Sequence, residues 1–144
     1  MSDTVKDFEQ NKYVVVRSLV VEPTLSSLNK YALKRMSLLP TEVEQMNDDD
    51  EAAPTPSAYG DPMMEMLLLN LSSKIETLTG LQLHPTFAFC RVYQHGDSLK
   101  KHRDRKACEI AVTLSLGQQG DRPWPLAIEG PGALPVGKRR RVQP

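Results

Sequence analysis

Histidine is scarce in this chain of 144 residues, with three in all: His84, His95 and His102. Cysteine is scarcer still, with two. Two thiols build no disulfide framework. Cys90 and Cys108 each lie in an apolar, strand-like run, where a buried, reduced thiol is the plain reading. Aromatic residues make up 6% of the chain, and only Tyr93 and Trp124 fall after residue 90. That is too few for a base-stacking platform, so nucleic acid is not an expected partner. There is no excess of either charge, with 18 basic and 18 acidic residues, so the whole-chain balance selects no polyanion. No long hydrophobic run is present either. The most apolar stretch, 63–71, is short and interrupted by Glu65, which argues against a membrane span. The first ten residues, MSDTVKDFEQ, carry acids where a signal peptide needs a basic and then an apolar run. The expected location is therefore the cytoplasm.

What remains is the profile of a soluble globular protein: 40% hydrophobic, 25% charged, and one domain in length. The expected organisation is a single domain over 1–137 with a basic tail over 138–144. Charge is unevenly spread. Residues 41–90 hold 9 acids and 1 base, and residues 91–144 hold 5 acids and 11 bases. The acidic stretch 41–61 has seven acids, no Lys or Arg, and Pro54 and Pro56 close together, so it reads as a solvated loop within the domain.

Two helices are predicted. Over 24–39, Leu25, Leu28, Ala32, Met36 and Leu39 recur at helical steps, with Thr24 as the expected cap and Pro40 as the stop. Over 62–79, Met63, Leu67, Leu71, Ile75 and Leu78 form a second stripe. Asp61 is placed to cap that helix, Pro62 suits its first turn and Gly80 its end. Strands are expected at 13–21, 86–93, 108–117 and about 125–129. The third of these alternates cleanly. Ile110, Val112, Leu114 and Leu116 share one face, and Ala111, Thr113 and Ser115 share the other. Five glycines and four prolines between 117 and 137 make that region rich in turns.

The chemistry-bearing segment is 91–117. In extended backbone His102 and Asp104, two apart, point to the same side and can hold one metal ion together. An imidazole and a carboxylate at this spacing are two-thirds of the facial triad that binds non-haem Fe(II). The plain alternative is a surface histidine beside an exposed aspartate, so the surroundings of the motif decide its meaning.

Those surroundings are Tyr93-Gln94-His95-Gly96-Asp97-Ser98-Leu99, then His102-Arg103-Asp104, then the run 108–117. Together they resemble the Fe(II)/2-oxoglutarate-dependent dioxygenases, in particular the prolyl 4-hydroxylase-like group. The resemblance implies a mainly β fold with flanking helices, the double-stranded β-helix or jelly-roll. It implies hydroxylation of a substrate, a prolyl residue in a peptide or protein being one candidate, with Fe(II) and 2-oxoglutarate as cofactors and ascorbate as reductant. It makes His102 and Asp104 metal ligands, Tyr93 a hydrogen-bonding partner of 2-oxoglutarate, and Thr113 and Ser115 lining residues of the cofactor pocket.

The sequence departs from the family in one respect. The family places a second histidine on a late strand, and after it an Arg or Lys that pairs with the far carboxylate of 2-oxoglutarate. None of the residues after His102 is histidine, and the late bases Lys138, Arg139, Arg140 and Arg141 sit in GKRRRVQP, without strand alternation. The expectation is a jelly-roll incomplete at its C-terminus, a truncated member of the family with little or no activity. The alternative is a non-catalytic interaction module using the half barrel and basic tail. The KRRR cluster has three readings: a solvated tail, an anion-binding patch or a nuclear-targeting signal. Lys100, Lys101, Arg103, Arg105 and Lys106 around the metal motif are either solvated loop charges or a means of steering an anionic co-substrate.

Overall fold

A computed structural model describes residues 3–39, 55–120, 124–128 and 141–142. Three helices supply most of its regular structure: α1 (Asp3–Asn11), α2 (Thr24–Ser37) and α3 (Pro62–Thr79). Four short strands, β1 (Ser57–Tyr59), β2 (Phe89–Arg91), β3 (Leu126–Ala127) and β4 (Arg141–Val142), form two separate antiparallel pairs, β1 with β2 and β3 with β4. This overturns the expected mainly β jelly-roll. The described residues form a helical assembly with two small ribbons.

Helix α3 follows its sequence signals closely. The Asp61 carboxylate accepts hydrogen bonds from the Met63 and Met64 amides at 3.0 and 3.3 Å, and Pro62 occupies the first turn. Gly80 ends the helix in the left-handed region, at φ 75°, with its amide on the Glu76 carbonyl at 2.8 Å. A methyl there would also press on Val5 of α1, so the glycine permits both the stop and the α1–α3 approach. The buried stripe is rotated from the expected one. Met64 is buried and Met63 is exposed, while Leu67, Leu71, Ile75 and Leu78 are half-buried as expected.

Helix α2 buries Leu28, Ala32 and Met36 along one face. Its cap differs from the expectation: Pro23 occupies the capping position, Thr24 is the first helical residue, and the Glu22 carboxylate accepts the Ser26 amide at 3.1 Å. Leu28, Ala32 and Met36 meet Met64 of α3 and Cys90 of β2 to form the core. Helix α1 has no counterpart among the elements expected from sequence. Nine residues hold few apolar positions, and Val5 alone among them is buried.

Asp61 joins the two long helices. The residue is 3% exposed. Besides capping α3 it accepts the Tyr31 hydroxyl at 2.9 Å and the Arg35 Nε at 3.2 Å, both from α2. Burial alone would raise its pKa. The hydrogen bonds from Tyr31, Met64, Arg35 and Met63 outweigh that and hold it below the usual carboxylate value. The same bond to Asp61, followed by burial, raises the Tyr31 pKa. Burial raises that of Cys90.

The strand expectations fail for one common reason. A ladder needs a partner with free backbone groups, and β propensity does not supply one. Residues 13–21 form no strand, and Ser18 sits at φ 54° within a turn. Residues 86–93 reduce to the three of β2, because their partner β1 is itself three residues long. Gly60 at φ 63° ends β1 on one side, and Pro56, which has no amide hydrogen, precedes it on the other. Bonds from Gly60 N–H to the Ala88 carbonyl and from Val92 N–H to the Pro56 carbonyl, each 3.0 Å, close the ribbon. β1 lies within the stretch expected to be an acidic loop. The rest of that stretch, through residue 54, is outside the described residues. Residues 108–117, the cleanest strand pattern, pair with nothing among the described residues. Of the expected strand at 125–129, Leu126 and Ala127 pair, and their partner Arg141–Val142 lies in the tail expected to have no strand. The rest of the basic tail lies outside the described residues.

Candidate metal centre

The two expected metal ligands sit in a loop tied at both ends. At its start Asp97 accepts the Thr55 hydroxyl at 2.9 Å and the Gln94 amide at 2.7 Å, and its own amide donates to the Gln94 carbonyl at 3.0 Å. Gly96, at φ 93°, makes that turn sterically cheap. At its end the Cys108 amide donates to the Arg105 carbonyl at 2.8 Å. Residues 98–105 between these ties have neither helix nor strand, and all are exposed.

Within the loop His102 Nδ1 lies 2.9 Å from the Lys100 carbonyl oxygen. A carbonyl only accepts, so the hydrogen in this bond is on Nδ1, and in the neutral ring that leaves the lone pair on Nε2. This is how metal-binding imidazoles are oriented by a backbone acceptor. Nε2 lies 3.7 Å from Asp104 Oδ1, so the two donors face one another as their i, i+2 spacing predicts. With metal–ligand bonds of about 2.1 Å, donors that far apart would subtend roughly 120° at a shared ion. Facial octahedral ligation requires a right angle, which a small rotation of two exposed side chains can reach. The donor chemistry thus fits a metal held by two protein ligands. Among the described residues no group of three or more His, Cys, Asp and Glu is placed to hold an ion. Lys100, Lys101, Arg103, Arg105 and Lys106 are all exposed around the pair. Five cations beside one carboxylate oppose a bare divalent ion and favour an anionic co-ligand.

Tyr93 continues the face of β2 on which Phe89 and Arg91 stand. The Arg91 guanidinium sits 4.9 Å from the Phe89 ring centre and 5.6 Å from that of Tyr93. Trp124 packs edge-on against Tyr93, with ring centres 4.3 Å apart. The Tyr93 hydroxyl has no hydrogen-bond partner among the described residues. Thr113 and Ser115 are exposed. Among the described residues no hydrogen bond or ion pair joins Tyr93, Thr113 or Ser115 to His102 or Asp104. The Arg91 and Trp124 contacts were not foreseen. The i, i+2, i+4 spacing of Phe89, Arg91 and Tyr93 signals their shared face, but nothing local signals Trp124. Both cysteines are free thiols; Cys90 is buried as expected, whereas Cys108 is half-buried.

The apolar face of 108–117 helps form a groove of about 390 Å³. Val14 and Val16, Ile75 and Leu78 of α3, and Ile110 and Leu114 line it. Thr113 is a lining residue as well. No helix among the described residues is long and apolar enough to cross a membrane. In comparisons with known proteins no family model, no curated protein and no solved structure matches this chain.

Proposed function

We propose that His102 and Asp104 form a low-affinity site for a divalent first-row metal. We further propose that this chain follows the chemistry of the Fe(II)/2-oxoglutarate hydroxylases without efficient turnover of its own. One observation supports the reading: the Lys100 carbonyl lies within hydrogen-bond distance of His102 Nδ1, and Nε2 faces the Asp104 carboxylate. When bound, Fe(II) would supply oxygen activation with 2-oxoglutarate as co-substrate, and a peptide or protein is the proposed class of substrate.

The chain's own residues have simpler tasks. His102 Nε2 and Asp104 Oδ1 hold the ion. The cationic side chains of 100–106 draw the dicarboxylate toward the loop and offset its charge. The Tyr93 hydroxyl is a hydrogen-bond donor for that ligand. Two exposed protein ligands leave most coordination positions to water, which sets weak affinity and poor exclusion of solvent.

The test is calorimetric titration of the chain with Fe(II) under anaerobic conditions, with and without 2-oxoglutarate. Succinate release in the presence of ascorbate is measured alongside. The expected result is weak metal binding, tightened by 2-oxoglutarate, lost in His102→Ala and in Asp104→Ala, with succinate release no higher than in those variants. Metal binding unchanged in both variants would sink the site. Turnover well above them would sink the claim of poor catalysis.

A further inference from the structure

Residues 111–117 have an unusual status in this fold. They contain no helix, turn or bend, and no hydrogen bond reaches the backbone of 109–117 among the described residues. Yet the segment is not loose at its ends. The Cys108 amide is tied to the Arg105 carbonyl, and Leu116 packs on the core. Gly117 approaches Asn29 of α2 so closely that any β-carbon would collide with the amide side chain. Between these anchors exposure keeps the strand period. Leu114 and Leu116 are half-buried, while Thr113, Ser115 and Gly117 are exposed. Val112 breaks the pattern: it stands on the apolar face but is 49% exposed, beside the open groove.

Natural sheet edges are protected by charge, proline, bulges or a covering element. Residues 110–116, Ile-Ala-Val-Thr-Leu-Ser-Leu, have no charged residue, proline or glycine. An extended segment without these protections, and with no hydrogen-bonded neighbour among the described residues, offers its edge as a template for a strand.

We propose that this edge pairs antiparallel with the same edge of a second copy of the chain, about a two-fold axis at Thr113. The segment is complementary to itself in that arrangement. Val112 of each copy lies opposite Leu114 of the other, Ile110 opposite Leu116, Ala111 opposite Ser115, and Thr113 opposite Thr113. Apolar meets apolar on one face and small meets small on the other. A slip of one residue would set the apolar face against the polar one, and a slip of two would leave Ile110 opposite Gln118 or Leu116 opposite Cys108, so pairing all four apolar residues favours this register. Charge selects the same direction. Parallel pairing would stack Lys106 on Lys106 and Glu109 on Glu109. The antiparallel pair sets Lys106 opposite Gly120 and Glu109 opposite Gly117, so the cationic loops of the two copies sit at opposite ends. The pairing satisfies the backbone groups along the edge that it joins, covers Val112, and gives a two-fold dimer. It is independent of metal binding.

Sedimentation equilibrium over a hundredfold concentration range, extending to about 200 μM, reads the association directly. The expected result is a reversible rise from 16.1 kDa to twice that mass. Hydrogen exchange on the unmodified chain should show amides within 111–115 protected at the top of the range and unprotected at the bottom. Val112→Lys and Thr113→Pro should each weaken association by about tenfold or more, and Val112→Ile should preserve it. The proposal is overturned by a monomer throughout the range, by masses growing beyond two copies, or by a dimer whose 111–115 amides stay unprotected. The exchange measurement needs no variant, so a variant that fails to fold does not shield the proposal.

Discussion

Replacing Asp61 by alanine removes three things at once. The α3 N-terminus loses its cap, at a cost of about 1 kcal/mol. The Tyr31 hydroxyl, bonded to both carboxylate oxygens at 2.9 Å, loses its acceptor in a partly buried place, at a cost of about 1–3 kcal/mol. The Arg35 pair adds little, below about 1 kcal/mol, because its side chain is well exposed although that of Asp61 is not. These groups share one network, so the parts do not add fully, and a total of about 2–4 kcal/mol is expected. Asp61→Asn keeps the cap and an acceptor for Tyr31 and should lose about half as much. Urea denaturation followed by far-UV circular dichroism measures both. Acid dependence separates them further. The folded pKa of Asp61 is depressed, so the unfolded chain takes up its proton first as pH falls. The stabilisation is complete above the unfolded value of about 3.9. It disappears as pH falls through the lower folded value, and Asp61→Asn removes that component. A loss below about 1 kcal/mol in Asp61→Ala, or the same acid profile in wild type and Asp61→Asn, would refute the idea that this carboxylate joins the two helices.

Two further outcomes are expected. Gly80→Ala, at φ 75° and against Val5, should lower stability by about 1–2 kcal/mol in thermal unfolding, and a neutral result would contradict the close approach of α1 and α3. Cys90, buried with a raised pKa, should react with a thiol reagent at neutral pH much more slowly than half-buried Cys108. Equal rates would place Cys90 outside the core.

Helices α2 and α3 were legible because their signals are local. A carboxylate before a proline, an apolar stripe at steps of three and four, and a glycine at the end all act within one turn of the chain. The rotated stripe of α3 was not legible, since choosing Met64 over Met63 depends on where Cys90 and Met36 lie. The strands were misread for the opposite reason. Val14, Val15 and Val16, and Ile110 to Leu116, have the composition of strands, but a strand exists only with its partner. β1, three unremarkable residues beside a proline, does have one. The jelly-roll expectation rested on a resemblance carried by 91–117 and extended to the whole chain. Within the site, the spacing of His102 and Asp104 foretold their mutual approach, because i and i+2 share a side wherever backbone is extended. The spacing could not reveal the Lys100 carbonyl behind the imidazole. Thr113 and Ser115 were assigned to a cofactor pocket through the resemblance, on a face that alternation had separated. Alternation separates two faces of a segment without saying which one meets solvent.

Trp124 is the only tryptophan in the chain; the residue is 48% exposed and its ring meets that of Tyr93 edge-on. That contact makes the indole an intrinsic optical reporter on the residue proposed to meet the dicarboxylate. Its emission arises from one place and needs no deconvolution among several fluorophores of the same kind. Its half-wet surroundings leave room for the spectrum to move toward the blue when a ligand or a neighbouring surface displaces water. Titration of the native chain can therefore be followed by light alone, with no label attached and no residue replaced.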